Sequence, residues 1–155
     1  MVEIVRILYV EHFLYEAKEN PDLLRQELSQ NRGISDQQIE ITEAMWLDDA
    51  VEKLNNCHEP PDVIILGLML ARSKEDFEAG SPRINMNAGF ELWLRLRKRF
   101  KGKFIDTPII VVTSRGNPEF RLAMETDPTL VWKTKPLTAN QLANEVVRVL
   151  SPTRR

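Results

Sequence analysis

Cysteine and histidine, which supply most transition-metal ligands in proteins, are nearly absent from this chain of 155 residues. Cys57 is the only cysteine, which excludes an internal disulfide bond and a cysteine-based metal cluster. His12 and His58 are the only histidines, so few ligands remain for zinc. We therefore expect neither a metal centre nor a bound cofactor.

The sequence also lacks a long apolar run and a strong excess of charge of one sign. No apolar run approaches the length of a membrane span, and Glu3 and Arg6 interrupt the start of the chain, where a signal peptide would be apolar. A formal net charge of −2 argues against nucleic acid or a membrane surface as the main partner. We expect a cytoplasmic protein with one domain over residues 1–155, since this length is short for two domains.

Short apolar runs alternate with amphipathic segments along the chain. The most apolar run, Val63-Ile64-Ile65-Leu66, follows two prolines and has no polar alternation, which indicates a strand buried on both faces. Helices are expected to start at Asn20-Pro21, with asparagine as N-cap, and at the N-cap Thr138. The predicted strands are 2–10, 39–44, 63–66, 109–112 and 130–133. The predicted helices are 21–31, 47–55, 87–99 and 138–150, together with one or two turns from Pro118 that Asp127-Pro128 ends. This alternation predicts an α/β fold with a parallel sheet covered on both sides.

Four segments in order resemble the response-regulator receiver domain. Residues 61–66 resemble the third strand of that family, and residues 89–92 resemble the start of its third helix. Residues 108–113 resemble its fourth strand, and residues 132–136 resemble its fifth strand with the Lys-Pro dipeptide that follows. The resemblance implies a flavodoxin-like (CheY-like) three-layer fold, with five helices and five parallel strands in the order 2-1-3-4-5. It also implies a cis bond before Pro136 and places Trp132 at the position of the switch aromatic.

The chain departs from the receiver pattern where the family does its chemistry. Gly67 stands at the position of the phosphoacceptor aspartate, and Glu11-His12 stands where the family has an acidic pair. A carboxylate is needed both to attack a phosphoryl donor and to ligate Mg²⁺, and glycine can do neither. The resemblance therefore implies a degenerate receiver that is not phosphorylated at the usual site and binds no metal.

The other residues at these strand ends form a candidate vestigial pocket. Thr113, Ser114 and Lys135 could bind an anion, or they could be framework that hydrogen-bonds nearby loops. We expect Glu11 to contact Lys135 in place of the missing aspartate, and we expect His12 to be a polar residue at a loop edge. Cys57 is expected to be a half-buried thiol at the end of the second helix.

Three further features bear on partners. The family's fourth helix, fifth strand and fifth helix often form a partner or dimer surface, which here would include Phe120, Leu122 and Trp132. The segment 71–86 is expected to be an inserted loop, and its apolar residues Phe77, Ile84 and Met86 suggest either a lid or a partner contact. Six cations at 95–103 either form an acidic-partner or nucleic-acid patch or are a solvated helix end, which we favour.

The resulting prediction is a non-enzymatic signalling domain that acts by protein–protein interaction, with homodimerisation as one form of it. Two alternatives from the same residues are a small-molecule or anion sensor that uses the vestigial pocket, and a conventional phosphorelay partner modified elsewhere. An enzyme on a flavodoxin-like fold is a third class, because fold alone does not determine function. The sequence offers that class no nucleophile–base pair and no glycine-rich phosphate loop.

Overall fold

The computed structural model describes residues 3–12, 20–80, 84–85, 87–114 and 118–150. The strands are β1 (Val5–Val10), β2 (Ile39–Ala44), β3 (Val63–Leu66), β4 (Leu70–Ala71), β5 (Ile84–Asn85), β6 (Ile109–Thr113) and β7 (Leu130–Thr134). The α-helices are α1 (Pro21–Asn31), α2 (Leu47–Asn56), α3 (Lys74–Ala79), α4 (Ala88–Lys98), α5 (Pro118–Glu125) and α6 (Ala139–Leu150). No helix in these described ranges is long and apolar enough to cross a membrane.

Two predicted helix starts are confirmed by their capping bonds. The Asn20 side chain accepts a hydrogen bond from the Leu23 amide at 3.0 Å, with Pro21 in the first helical position. The Thr138 hydroxyl accepts from the Gln141 amide at 3.1 Å before α6. Each cap satisfies an amide that has no partner inside its helix.

The main sheet is five-stranded and parallel, in the order β2-β1-β3-β6-β7. Without the small strands β4 and β5, this is the predicted order 2-1-3-4-5, so the flavodoxin-like fold is confirmed. The central strand β3 is buried at all four residues because helices cover both faces. Ile64 and Leu66 point into the core beneath α2 and α4, whereas Val63 and Ile65 point into the core beneath α1 and α6.

The segment that we predicted to be an inserted loop contains short strands and a short helix. Strands β4 and β5 pair antiparallel, and α3 lies between them with the Ser73 hydroxyl accepting from the Asp76 amide at 3.2 Å. With this short helix, the described residues contain six α-helices, one more than the five expected. Elements of two and six residues are too short to produce a hydrophobic period in the sequence.

Candidate functional site

The carboxyl ends of β1, β3, β6 and β7 bring the candidate residues to one edge of the sheet. Backbone bonds continue the ladder past the strands: Gly67 donates to Val10 at 2.8 Å, Glu11 to Ala44 at 3.0 Å and Lys135 to Thr113 at 2.9 Å. The Lys135–Pro136 peptide bond is cis, as the resemblance implied. The sheet therefore positions the backbone on both sides of Gly67.

The Glu11 carboxylate fills the space beside Gly67. A Cβ atom built on Gly67 would lie 2.4 Å from Glu11 Oε2 and 2.9 Å from Glu11 Cδ, distances at which one of the groups must move. The same Oε2 lies 3.3 Å from Lys135 Nζ, so the expected contact between Glu11 and Lys135 is present. With 6% of the Glu11 side chain and 23% of the Lys135 side chain exposed, the pair is largely shielded from water.

The start of helix α4 lies close to the backbone of Gly67 and Leu68. The Gly89 amide donates to the Leu68 carbonyl at 3.0 Å. A Cβ atom on Gly89 would lie 2.4 Å from the Gly67 carbonyl oxygen and 2.5 Å from the Leu68 Cα. These obstructing atoms are backbone and cannot rotate away, so this close approach requires glycine at position 89.

The described residues do not fit a Mg²⁺ site of the kind found in the receiver family. Mg²⁺ prefers a near-octahedral set of oxygen ligands that includes carboxylates. Here Gly67 offers no side-chain oxygen, and the Glu11 carboxylate already faces the ammonium group of Lys135. Within the described ranges, no group of three His, Cys, Asp or Glu side chains could hold a metal ion.

A small cavity of about 110 Å³ opens beside the pair. Glu11, Lys135, Thr113 and Ser114 line it together with Met69. Thr113 is buried and Ser114 is exposed, so the hydroxyl groups lie at different depths. The volume suits a few water molecules or a small ion, and Glu11 and Lys135 place charges of opposite sign in the lining.

His12 lies deeper than predicted. We expected a polar histidine at a loop edge, but its residue is 9% exposed and its ring packs against Phe77 of α3, with the centroids 5.0 Å apart. Phe77 also contacts Trp46, at 5.2 Å between centroids. The insertion therefore reaches the site through Phe77; Ile84 is half-buried in β5, and Met86 lies outside the described residues.

A search of solved structures finds proteins with this architecture over nearly their whole length. A response regulator receiver domain protein from Methanospirillum hungatei JF-1 is 16% identical, with a TM-score of 0.67 over 98% of each chain. A signal receiver domain of a two-component histidine kinase from Clostridium thermocellum is 19% identical, with a TM-score of 0.66 over 93% of this chain and 95% of that one. The chemotaxis response regulator CheY4 of Vibrio cholerae is 21% identical, with a TM-score of 0.59 over 95% and 99%. The chain has the receiver-domain fold.

At these identities the receiver fold is what the chain shares with those proteins. No protein-family model matches the sequence, and a search of curated proteins finds no match. In the receiver fold Gly67 directly follows the central strand, where the loops of a parallel sheet form binding sites.

The surface of the receiver fold formed by α5, β7 and α6 carries the predicted partner residues. Leu122 is 70% exposed. Trp132 is half-buried in the edge strand β7, with the Arg121 guanidinium 5.4 Å from its ring centroid. Phe120, the third of these residues, is half-buried and stacks on Phe90 of α4, with the ring centroids 4.0 Å apart.

The six cations near the end of α4 do not form one open patch. Arg95 forms an ion pair with Glu91 at 2.7 Å, and Lys103 donates a hydrogen bond to the Cys57 carbonyl at 2.5 Å. The Arg97 side chain is largely buried. Cys57 itself is half-buried at the end of α2, as expected. The exposed members are Lys98, Arg99, Lys101 and Lys103.

Arg97 belongs to a buried network that the sequence did not reveal. Its guanidinium bonds Asp127 at 2.6 Å and the Thr129 hydroxyl at 2.6 Å, and Trp93 donates to the same carboxylate at 2.8 Å. Burial raises the pKa of Asp127, but the hydrogen bonds from Arg97, Trp93 and Thr129 outweigh it and hold that pKa below its usual 3.8. Asp127 lies 30 residues from Arg97 in sequence, so no local pattern marks the pair.

Proposed function

We propose that this protein is a degenerate response-regulator receiver domain that is not phosphorylated at position 67 and acts by protein–protein interaction. The observation that carries the proposal is the position of the Glu11 carboxylate, which takes up the space beside Gly67 and faces Lys135 at 3.3 Å. A receiver site of this kind has its carboxylate–lysine pair already formed, without a group that can accept phosphate. Its state would then be independent of phosphorylation at that position.

An enzymatic role is the weaker proposal for the same site. The Glu11 carboxylate, which lines the cavity together with Thr113 and Ser114, already faces Lys135 at 3.3 Å. A nucleophile needs a base within hydrogen-bond reach. We therefore propose a binding module, with the protein partner as its effector.

The direct test is incubation with acetyl phosphate and Mg²⁺, followed by intact-mass measurement. The wild-type protein should gain no phosphoryl group, and neither should Gly67→Asp alone, because Glu11 blocks the new side chain. The double variant Gly67→Asp with Glu11→Ala supplies both a carboxylate and the space for it. Its matched control is Gly67→Asn with Glu11→Ala, which has the same shape and no carboxylate.

An acid-labile phosphoryl adduct on the wild-type protein would refute the proposal. Mapping that adduct to a residue away from the sheet edge would support the alternative of a phosphorelay partner modified elsewhere. Rapid phosphorylation of Gly67→Asp alone would show that Glu11 does not restrict the site.

For the interaction surface, we propose α5, β7 and α6, with homodimerisation as the simplest case. The supporting observation is Leu122, a large apolar side chain left 70% exposed next to the edge strand β7. Sedimentation equilibrium of Leu122→Glu should show loss of any self-association seen for the wild type. Leu23→Glu, at an exposed leucine on α1, is the matched control and should leave association unchanged.

Sensing of a small ligand is the second candidate, and the cavity beside Ser114 and Lys135 favours it. A thermal shift with phosphate, sulfate and nucleotides separates the two: a shift abolished by Lys135→Met would support the sensor. If no ligand raises the melting temperature, the sensor is not supported and the interaction module remains the proposed function.

A further inference from the structure

Helix α3 makes few contacts with the rest of the protein, and Phe77 makes the main apolar one. None of its six residues is fully buried, and Lys74, Glu75, Glu78 and Ala79 are exposed. It takes no part in the five-stranded sheet. Its apolar contact is made by Phe77, whose ring lies against His12 and Trp46.

The chain just before α3 is held much more firmly. Ala71 forms a parallel bridge with Trp46, and the Arg72 carbonyl accepts from the Asp48 amide at 3.0 Å. The Arg72 guanidinium contacts both oxygens of Glu91 on α4 at 2.9 Å, a two-point contact that restricts rotation. A movement of α3 would therefore begin after Arg72.

The other end of α3 permits such a movement. The helix ends at Gly80, which has a φ of 90°, in the left-handed region that glycine adopts without steric cost. A short segment with few buried contacts opens locally at a much lower free energy than the sheet. The chain that enters α3 is thus held in place by hydrogen bonds, whereas the chain that leaves it passes through a glycine.

We propose that α3 is a lid that swings about residues 73 and 80 and controls access to His12 at the carboxyl edge of the sheet. In the closed state Phe77 covers the His12 imidazole. In the open state the His12 and Trp46 rings become accessible to a partner. The proposal rests on the contacts of α3 and does not depend on the absence of phosphorylation.

The two histidines make the lid directly measurable. His12 is 9% exposed beneath Phe77, whereas His58 is exposed near the end of α2 and serves as an internal reference. Diethyl pyrocarbonate modifies accessible neutral imidazoles, and peptide mass spectrometry gives a rate for each histidine. In the wild-type protein we expect His12 to react much more slowly than His58.

Phe77→Ala removes the ring that covers His12 and should accelerate its modification several-fold, while the rate at His58 stays unchanged. Phe77→Leu keeps an apolar side chain and should give an intermediate rate. Leu122→Ala, at an exposed apolar residue outside the insertion, is the control and should change neither rate. Hydrogen exchange followed in parallel should be fast in α3 and unaltered by these variants in β1 and β3.

Three results would overturn the lid. The first is a wild-type His12 that reacts as fast as His58, since the closed state would then not protect it. The second is continued protection of His12 in Phe77→Ala. The third is faster exchange across β1 and β3 in that variant, because α3 would then be part of the cooperative fold.

Discussion

Replacement of Gly67 by alanine tests whether the Glu11 carboxylate occupies the space at the centre of the site. The new Cβ would lie 2.4 Å from Glu11 Oε2, the atom that faces Lys135, so the carboxylate must shift and its contact with Lys135 is disturbed. A buried charge-assisted hydrogen bond contributes about 2 kcal/mol. Replacing glycine by alanine in a compatible conformation stabilises a protein by up to about 1 kcal/mol, because the unfolded chain has fewer conformations. We expect Gly67→Ala to destabilise the protein by about 1 to 2 kcal/mol.

The same change should behave differently when Glu11 is already absent. In Glu11→Ala no carboxylate obstructs the new methyl group, so Gly67→Ala should be neutral or stabilising by up to about 1 kcal/mol. The double-mutant cycle should then show a coupling free energy of about 2 kcal/mol. The assay is urea unfolding followed by tryptophan fluorescence, with the m-value checked for constancy.

Gly89→Ala provides the matched control for this cycle. Its new Cβ would meet the backbone of Gly67 and Leu68, which Glu11→Ala does not remove. Its cost should therefore be the same in both backgrounds. Equal costs for Gly67→Ala with and without Glu11 would refute the placement of the carboxylate, and with it the observation that carries the proposed function.

The remaining predictions concern packing and acid stability. Gly89→Ala should destabilise the protein by more than about 2 kcal/mol, because two backbone atoms lie within 2.5 Å of the new Cβ; unaltered unfolding in urea would show that α4 can move away. Asp127→Asn should cost about 3 kcal/mol at neutral pH, since it leaves Arg97 buried without its charge partner. Because the folded pKa of Asp127 lies below 3.8, its contribution is complete above that pH and is lost as the pH falls through the folded pKa. The wild type should therefore lose stability in acid faster than Asp127→Asn, and parallel stability curves from pH 6 downward would contradict the network.

The strands were predictable because the sheet imposes a strong local pattern. Strand β3 is covered on both faces, so its residues must all be apolar, and the run from Val63 to Leu66 shows this directly. Helix starts were predictable for a similar reason, because Asn20 and Thr138 act on amides only three residues away. The residues of the candidate site could be named because parallel strands end at a common edge.

The side-chain contacts at that edge were only partly predictable. The pairing of Glu11 with Lys135 could be expected from charge and strand order, and it is present. The position of the carboxylate in the Gly67 space depends on a rotamer, and the need for glycine at position 89 depends on how closely α4 approaches. Neither has a signature in the local sequence.

Alone, the sequence determined the alternation of strands and helices, because the apolar pattern of a covered strand is local. Its resemblance to the receiver domain implied the order of the strands and the position of Gly67 directly after the central one. Only the tertiary structure decided which side chain occupies the space beside Gly67 and which side chain packs on His12. Glu11 turns toward Lys135, and Phe77 lies on His12 from 65 residues away. These contacts join segments distant in the chain, so they depend on packing in three dimensions, on which the local pattern of residues carries no information.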